Sequence, residues 1–347
     1  MKVLQDLSHT ELNNYLLSIG EKSYRTGQIY RAIHNGFSID EITEISKSLR
    51  EKLKQDFYNE PVSIYKKLVS VDGTVKFLFS LYDGNIVEGV FMKNNYGNTQ
   101  CLSTQIGCRM GCKFCASTIG GLVRNLTCGE MLSMVALVNR HFGGNITKRA
   151  VTNIVLMGSG EPLDNFDNTV KFLQLVSSKE GINVSLRNIS LSTCGIVPKI
   201  YQLADLKLPV NLTISLHQPF NEKRKELMPI TNAYSIEEIL KACEYYFEKT
   251  GRRYIFEYSL VKGENDSATC VDELVKILKG RPCHINVIRL NEVKENNLKA
   301  TTEKEAYQFV GYLEKKGLSA TLRRLNGADI EGACGQLRNS EINKIKK

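Results

Sequence analysis

Hydrophobic positions in the first sixty residues recur every three to four residues, as they do in amphipathic helices. Two segments with capping-box spacing, Ser8-x-x-Glu11 and Ser38-x-x-Glu41, each precede such a stretch. The apolar positions that follow are Leu12, Leu16 and Ile19 in the first case and Ile42, Ile45 and Leu49 in the second. The pattern predicts a small N-terminal domain of about three helices over residues 1–60.

From residue 61 to residue 93 the hydrophobic period changes to two. Asp72-Gly73 and Asp83-Gly84 are hairpin turn signals between runs of alternating apolar residues. We expect a short antiparallel extension here, built from β-hairpins.

The remainder of the chain alternates between strand-like and helix-like segments. The predicted strands cover residues 100–104, 153–157, 189–193, 212–216, 255–260, 285–290 and 320–324. Strands that recur with helices between them indicate an α/β fold with a parallel sheet, either open or closed as a full or partial barrel. Active sites on such sheets lie at the carboxyl ends of the strands. Polar residues fall at several of these predicted ends, at 158–161, 192–195, 215–217 and 291.

Composition narrows the possible classes of protein. With 347 residues, 42% hydrophobic and 24% charged, the chain is globular rather than disordered. No apolar run reaches the length of about 18 residues that a membrane span needs. The start of the chain lacks an apolar secretion signal, so we expect a cytoplasmic protein. Ten cysteines in a reducing compartment favour metal or redox chemistry over structural disulfides.

The formal net charge of +9 favours a polyanionic partner, although scattered surface lysines would give the same total. The excess is uneven along the chain. Between residues 101 and 150 a single acidic residue, Glu130, faces six basic ones: Arg109, Lys113, Arg124, Arg140, Lys148 and Arg149. The positive charge therefore coincides with the segment that is richest in cysteine.

Three cysteines, Cys108, Cys112 and Cys115, form the motif C-x3-C-x2-C directly after the first predicted core strand. Three thiolates on a tight loop can hold three irons of a four-iron, four-sulfur (4Fe-4S) cluster, whereas a closed cluster or a structural zinc needs a fourth ligand. An incomplete set leaves one iron open to a small molecule such as S-adenosylmethionine. Cys128 would close the site in a zinc knuckle, but it falls at a predicted helix start.

Further motifs follow at fixed separations: MGSGEPL at 157–163, LSTCG at 191–195, SLH at 215–217, LMPI at 227–230 and ACGQL at 333–337. Together with the cysteine loop, they resemble the radical S-adenosylmethionine superfamily and, within it, the RlmN/Cfr family of RNA adenosine methyltransferases. The likeness covers nearly the whole chain. The cysteine loop alone would indicate only the superfamily, whereas the ACGQL segment indicates the family.

The resemblance implies a partial (β/α)6 TIM-like barrel over residues 94–330. It also implies an RNA-orienting helical domain over 1–60, a hairpin extension over 61–93 and a C-terminal loop over 331–347. The implied activity is methylation of C2 of adenosine 2503 in 23S ribosomal RNA and of adenosine 37 in tRNAs. The implied cofactors are a 4Fe-4S cluster and two S-adenosylmethionine molecules per turnover. We also expect an external electron donor of the flavodoxin or ferredoxin type, and we expect the protein to be a monomer.

The resemblance also assigns roles to three residues outside the cysteine loop. Cys334 would take a methyl group from one S-adenosylmethionine, and a 5′-deoxyadenosyl radical would then activate that S-methyl group. Cys101 would resolve the enzyme–RNA link through a disulfide with Cys334, and Glu88 would accept the C2 proton. Taken alone, Cys101 lies in an apolar strand like a core cysteine, and strand alternation allows Glu88 to face solvent.

The contacts to S-adenosylmethionine carry over in the same way. The matching positions are Gly160, Glu161, Ser192, Ser215, Leu216, His217 and Asn291. A glycine at position 160 allows close backbone approach to the ligand. Each polar residue of this set is also compatible with loop capping.

Three alternatives remain open from the sequence. The first is methylation at C8 of the same ribosomal adenosine, which would use the same thiols. The second is a non-enzymatic iron–sulfur or zinc protein that binds structured RNA. The third, a glycyl-radical activating enzyme, shares the cysteine loop but gives no reason for Cys334 or for the basic segment.

Overall fold

The computed structural model describes residues 1–291 and 297–330, which fold into two compact units. The first unit comprises Met1–Ile106, Arg124–Ser159 and Asn165–Ile189. The second comprises Gly107–Val123, Gly160–Asp164 and the residues from Ser190 onward. Cys334 and the rest of 331–347 lie outside the described residues.

Helices and strands alternate along most of the chain. The helices are α1 (His9–Ser18), α2 (Tyr24–His34), α3 (Lys47–Asp56), α4 (Cys128–His141), α5 (Phe166–Val176), α6 (Val197–Asp205), α7 (Asn221–Leu227), α8 (Ile236–Thr250), α9 (Ala268–Leu278) and α10 (Glu303–Lys315). The strands are β1 (Val62–Val69), β2 (Val75–Leu81), β3 (Ile86–Met92), β4 (Thr99–Leu102), β5 (Gln105–Gly107), β6 (Leu122–Asn125), β7 (Asn153–Leu156), β8 (Ile189–Thr193), β9 (Asn211–Ser215), β10 (Tyr254–Leu260), β11 (Cys283–Arg289) and β12 (Ala320–Leu322). Among the helices of 1–291 and 297–330, none is both long and apolar enough to cross a membrane.

The N-terminal helices α1 to α3 share a hydrophobic core that includes Leu12, Leu16, Ile29, Leu49 and Leu53. The capping box predicted at the start of α1 forms in full. The Ser8 backbone N–H donates to Glu11 Oε2 at 2.7 Å, and the Glu11 N–H donates to Ser8 Oγ at 3.2 Å. The predicted three-helix region is confirmed.

The second predicted helix start needs a correction. The Ser38–Glu41 capping box forms, but it caps only a 3-10 turn at Ile39–Glu41. Helix α3 begins later because Ser46 provides a second cap, its Oγ accepting the Leu49 N–H at 3.2 Å. Ile42 and Ile45 still reach the core, from the connection between turn and helix.

The predicted hairpin extension is also confirmed. Strands β1, β2, β3 and β4 pair antiparallel in that order, and β4 pairs parallel with β7. The turn between β1 and β2 places Gly73 at φ +83°, where a glycine is favoured, and Asp72 Oδ1 accepts the Thr74 N–H. The extension therefore belongs to the same sheet as the strand that carries Cys101. The division at residues 60, 93 and 330 stays a prediction.

Strands β8 to β12 form a run of parallel neighbours in sequence order, mostly separated by helices. Helix α6 connects β8 to β9, α7 and α8 connect β9 to β10, and α9 connects β10 to β11. The α/β class predicted from the alternation of patterns is confirmed. The carboxyl ends of these strands carry the residues considered next.

Candidate cofactor and active site

The cysteine loop begins at a backbone conformation that only glycine tolerates. Gly107 has φ +79°, and a Cβ there would lie 2.0 Å from the Gly121 carbonyl oxygen. The Cys108 N–H donates to that same oxygen at 3.1 Å. Further along, the Cys115 N–H donates to the Cys112 carbonyl at 3.1 Å. The loop is thus a tight turn fixed by its own backbone.

Hydrophobic packing surrounds the cysteine loop. Cys112 lies in a buried cluster with Cys194, Leu227 and Met228, and Cys115 packs at its edge. Burial raises the pKa of Cys108 to about 12 and also raises the pKa of Cys112. Both side chains are therefore neutral thiols without a metal, and binding iron would release their protons.

The donor set of this loop fits an iron–sulfur cluster, since it consists of three thiols at C-x3-C-x2-C spacing in an apolar, tight turn. As the side chains stand, residues 1–291 and 297–330 contain no group of three His, Cys, Asp or Glu residues that could hold a metal ion. The assignment of Cys108, Cys112 and Cys115 as ligands stays a prediction.

A buried carboxylate lies after β7, at the position predicted to receive S-adenosylmethionine. Glu161 follows Gly160, whose φ of +106° favours a glycine. Glu161 Oε1 accepts the Leu163 N–H at 2.9 Å, and Oε2 accepts the Cys194 N–H at 2.7 Å. Burial raises its pKa despite these bonds. The carboxylate is held in place to meet a further hydrogen-bond donor, such as an ammonium group.

Arg224 ties together the strand ends around this carboxylate, and the sequence analysis missed it. Its side chain is fully buried, and its pKa is lowered to about 10 by that burial. The guanidinium donates to three carbonyls, of Cys194, Ser215 and Leu216, at 2.8 to 3.1 Å. A fourth bond reaches Thr231 Oγ1 at 2.7 Å. One side chain thus fixes the backbone at two predicted cofactor contacts.

The strand registers place Ser192 and Ser215 on a shared face. Ser192 pairs with Thr213, and Ser215, two residues further along β9, points to the same side as Thr213. Ser215 in turn pairs with Glu257 on β10. The next residue, Tyr258, stacks on Phe309 of α10, so this shared face is the one turned away from that helix.

Glu257 is a second buried carboxylate that sequence reasoning missed. Its side chain is 3% exposed, and burial raises its pKa. Oε1 accepts a hydrogen bond from Asn286 at 3.1 Å, and Arg323 lies 3.7 Å from Oε2. The signal for it in the sequence was a charged residue between aromatic neighbours within a predicted strand.

The remaining predicted cofactor residues occupy different environments. His217 has φ +55° and is buried, and its Nδ1 accepts the Ser259 N–H at 2.9 Å. Burial lowers its pKa to about 3, so the imidazole is neutral. Leu216 is fully buried, whereas Asn291 is exposed beyond the end of β11. This backbone contact agrees with the alternative of a capping polar residue, and the assignment of His217 as a contact to S-adenosylmethionine stays a prediction.

Within the first unit, Glu88 and Cys101 lie on one face of the sheet. Val90, two residues after Glu88 on β3, pairs with Cys101 on β4, which places both side chains on the same side. The opposite face packs against α4: Gln100 donates to the Met134 carbonyl, and Phe91 stacks on Phe142. The structure therefore brings together two of the three predicted catalytic residues.

The expectation that Glu88 could face solvent is wrong. Its side chain is 2% exposed and lies 3.5 Å from Nζ of Lys76, which is fully buried. Alternation was misleading here because neither face of this sheet is open at Glu88, so a charged residue no longer marks the solvent side. The charge is compensated inside the protein.

Cys128 lies at the start of α4. Its thiol donates to Asp6 Oδ1 at 3.2 Å at the start of α4, and Asp6 Oδ1 also accepts the Gly129 N–H. The prediction of a helix start at Cys128 is confirmed.

A disulfide is not supported by the structure. No two cysteines of the described ranges are joined. Its predicted partner, Cys334, lies outside those ranges.

Two protein-family models match this chain. Residues 102–274 match the model of the radical SAM superfamily, and residues 3–58 match that of the ribosomal RNA large subunit methyltransferase N-terminal domain. A radical SAM methyltransferase from Sphaerobacter thermophilus, solved as a crystal structure, superposes with a TM-score of 0.92 at 37% identity, covering 97% of this chain and 99% of that one. The chain is thus a radical SAM protein with an α/β partial open barrel.

Curated relatives narrow the assignment further. A protein of Lachnospira eligens is 50% identical over 99% of this chain and 98% of its own length. One of Clostridium novyi is 51% identical over 99% of both chains. Each is named "Probable dual-specificity RNA methyltransferase RlmN". This chain belongs to the RlmN family of radical SAM RNA methyltransferases.

Proposed function

We propose that this protein methylates C2 of an adenine in 23S ribosomal RNA, at adenosine 2503, and in tRNAs, at adenosine 37. The observation that carries the proposal is the shared buried face of Glu88 and Cys101, which offers a proton acceptor and a thiol together. C2 of adenine is electron-poor, so polar methyl transfer does not reach it. A radical route needs a base that removes the C2 proton and a thiol that resolves the enzyme–RNA link, and Glu88 and Cys101 are proposed for these two steps.

In this proposal Cys108, Cys112 and Cys115 hold the 4Fe-4S cluster. Gly160, Glu161, Ser192, Ser215, Leu216, His217 and Asn291 hold S-adenosylmethionine. When bound, the two cofactors supply a carbon-centred radical that abstracts hydrogen from an S-methyl group. Two S-adenosylmethionine molecules are used per turnover, one as methyl donor and one as radical source.

The chain's own residues perform the remaining steps. Cys334 attacks the methyl carbon of the first S-adenosylmethionine, so that S-adenosylhomocysteine leaves and the thiol proton is lost to solvent, and it then carries the methyl group as a thioether. Glu88 takes the C2 proton from the adenine after the carbon has been added. Cys101 then attacks the sulfur of Cys334 as a thiolate, and the bond from that sulfur to the added carbon breaks. The electron pair of this bond stays on the carbon, which takes up a proton and becomes the methyl group of the released RNA. The disulfide between Cys101 and Cys334 is afterwards reduced by an external thiol.

The partners proposed are RNA and a flavodoxin- or ferredoxin-type reductant, with the protein acting as a cytoplasmic monomer. Among the six basic residues between 101 and 150, three arginines form ion pairs with acidic side chains. Arg109 pairs with Asp164, Arg124 pairs with Asp83 and Glu130, and Arg140 pairs with Glu41. Phosphate contacts by this segment would therefore depend less on these three arginines.

The position of the methyl group tests the proposal. Ribosomal RNA and tRNA from cells lacking the modification would be incubated with reconstituted protein, S-adenosylmethionine and a reductant, then digested to nucleosides for mass spectrometry. We expect 2-methyladenosine from both RNA classes. Finding 8-methyladenosine instead would replace the C2 assignment with C8. RNA binding without any methylated nucleoside would favour the non-enzymatic alternative.

A further inference from the structure

The pair formed by Lys76 and Glu88 is unusual because both side chains are withdrawn from water. Lys76 is 0% exposed and Glu88 2%, with Nζ and Oε1 3.5 Å apart. Removing an ammonium group from water is costly unless a partner compensates it. A buried apolar residue would fill the same place in β2 without that cost. The lysine therefore calls for an explanation beyond packing.

Position in the sheet connects Lys76 to the proposed chemistry. Leu78 pairs with Glu88, and Lys76, two residues before Leu78, points to the same side. Cys101 belongs to this face as well, through the pairing of Val90 with Cys101. A cation, a carboxylate and a thiol thus share the face that is turned away from α4.

A second contact fixes the backbone at Glu88. Ser103 Oγ donates to the Glu88 carbonyl at 2.7 Å, and Ser103 is fully buried. The residue that follows, Gly89, allows two neighbours to approach the backbone closely. A Cβ at this position would lie only 2.9 Å from Phe79 Cε2 and 3.2 Å from the Cys101 carbonyl oxygen. The carboxylate is held from both its backbone and its side chain.

We propose that Lys76 is a positioning residue that holds the Glu88 carboxylate in the orientation from which it removes the C2 proton of the target adenine. The inference rests on the function proposed above for Glu88. In the step concerned, the proton moves from C2 to the Glu88 carboxylate and the electron pair of the C–H bond remains in the ring. The unpaired electron that radical addition left on the adduct passes to a one-electron acceptor of the iron–sulfur or flavin class. A general base must lie within reach of the proton that it removes, and an ion pair with a fixed cation holds its carboxylate in one orientation.

Four variants test the inference: Lys76→Met, Lys76→Arg, Glu88→Gln and the double variant Lys76→Met/Glu88→Gln. Lys67→Met is the matched control, since Lys67 is exposed on the neighbouring strand β1. Single-turnover methylation would be measured with RNA carrying either protium or deuterium at C2 of the target adenosine. Covalent enzyme–RNA species would be counted on denaturing gels.

We expect Glu88→Gln to slow methylation by about 10²- to 10⁴-fold, the usual contribution of a general base. Lys76→Met should slow it by about 10²-fold, increase the deuterium isotope effect and allow the covalent species to accumulate. Lys76→Arg should recover most of the rate because the cation is kept. The double variant should be no slower than Glu88→Gln alone, because both changes disable one unit.

The double variant also guards against misfolding, since it removes both charges of the buried pair together. A slower Lys76→Met without a changed isotope effect or trapped species would show a structural role and overturn the inference. Additive losses in the double variant would overturn it too. If Glu88→Gln itself changes neither readout, the role proposed for Glu88 fails first, and the inference falls with it.

Discussion

Replacing Cys334 by alanine should abolish RNA methylation while the iron content stays that of the native protein. In the proposed mechanism this thiol carries the incoming carbon, and C2 of adenine does not accept a methyl group directly. Iron content, cleavage of S-adenosylmethionine and methylated nucleoside would be measured on the same anaerobic sample. Cleavage should continue, uncoupled from RNA.

The matched control for Cys334→Ala is Cys283→Ala. Cys283 is a half-buried thiol on β11 whose Sγ contacts the Leu278 carbonyl, outside the proposed machinery. It should methylate RNA at the native rate. Residual methylation by Cys334→Ala would rule out the thioether route, and loss of its iron would point to a ligand role instead.

Replacing Cys112 by alanine should remove the cluster and with it all cleavage of S-adenosylmethionine. Two remaining thiolates cannot hold a 4Fe-4S cluster, because each uncovered iron loses its strongest ligand. Iron and sulfide analysis with visible absorption would follow the loss. The expected activity is zero, since every later step depends on the radical.

Cys128→Ala serves as the control for Cys112→Ala. Its thiol is already hydrogen-bonded to Asp6, so its removal should leave iron and sulfide unchanged. Iron loss from Cys128→Ala would support a closed, four-cysteine site and therefore the zinc or iron–sulfur alternative. A full complement of iron in Cys112→Ala would contradict the ligand assignment.

Periodicity predicted the fold well because local spacing reports which face of an element is buried. The sequence pattern predicted the three N-terminal helices, the hairpin extension and the alternation of strands and helices. The start of α3 was not, since two competing caps, Ser38 and Ser46, stand eight residues apart and only packing decides between them. Local signals fix the type of an element better than its boundary.

The candidate site was harder to predict from the sequence, because a charged residue can lie either on a solvated face or in the interior beside a partner. Arg224 lies in the run NEKRKEL, which resembles a solvated helix face, yet its side chain is fully buried. Lys76 and Glu88 interrupt apolar strands, and their mutual contact depends on the register of β2 and β3. Buried charges become interpretable only when their partners are known.

The most direct measurement of the central idea is electron–nuclear double resonance on the reduced cluster with S-adenosylmethionine labelled with ¹⁵N in its amino group. If three cysteines leave one iron open, the label should couple to the cluster. Cys194 lies in the same buried cluster as Cys112 and is a rival ligand. No coupling, together with iron loss from Cys194→Ala, would show that the protein itself occupies the fourth position and would contradict the account.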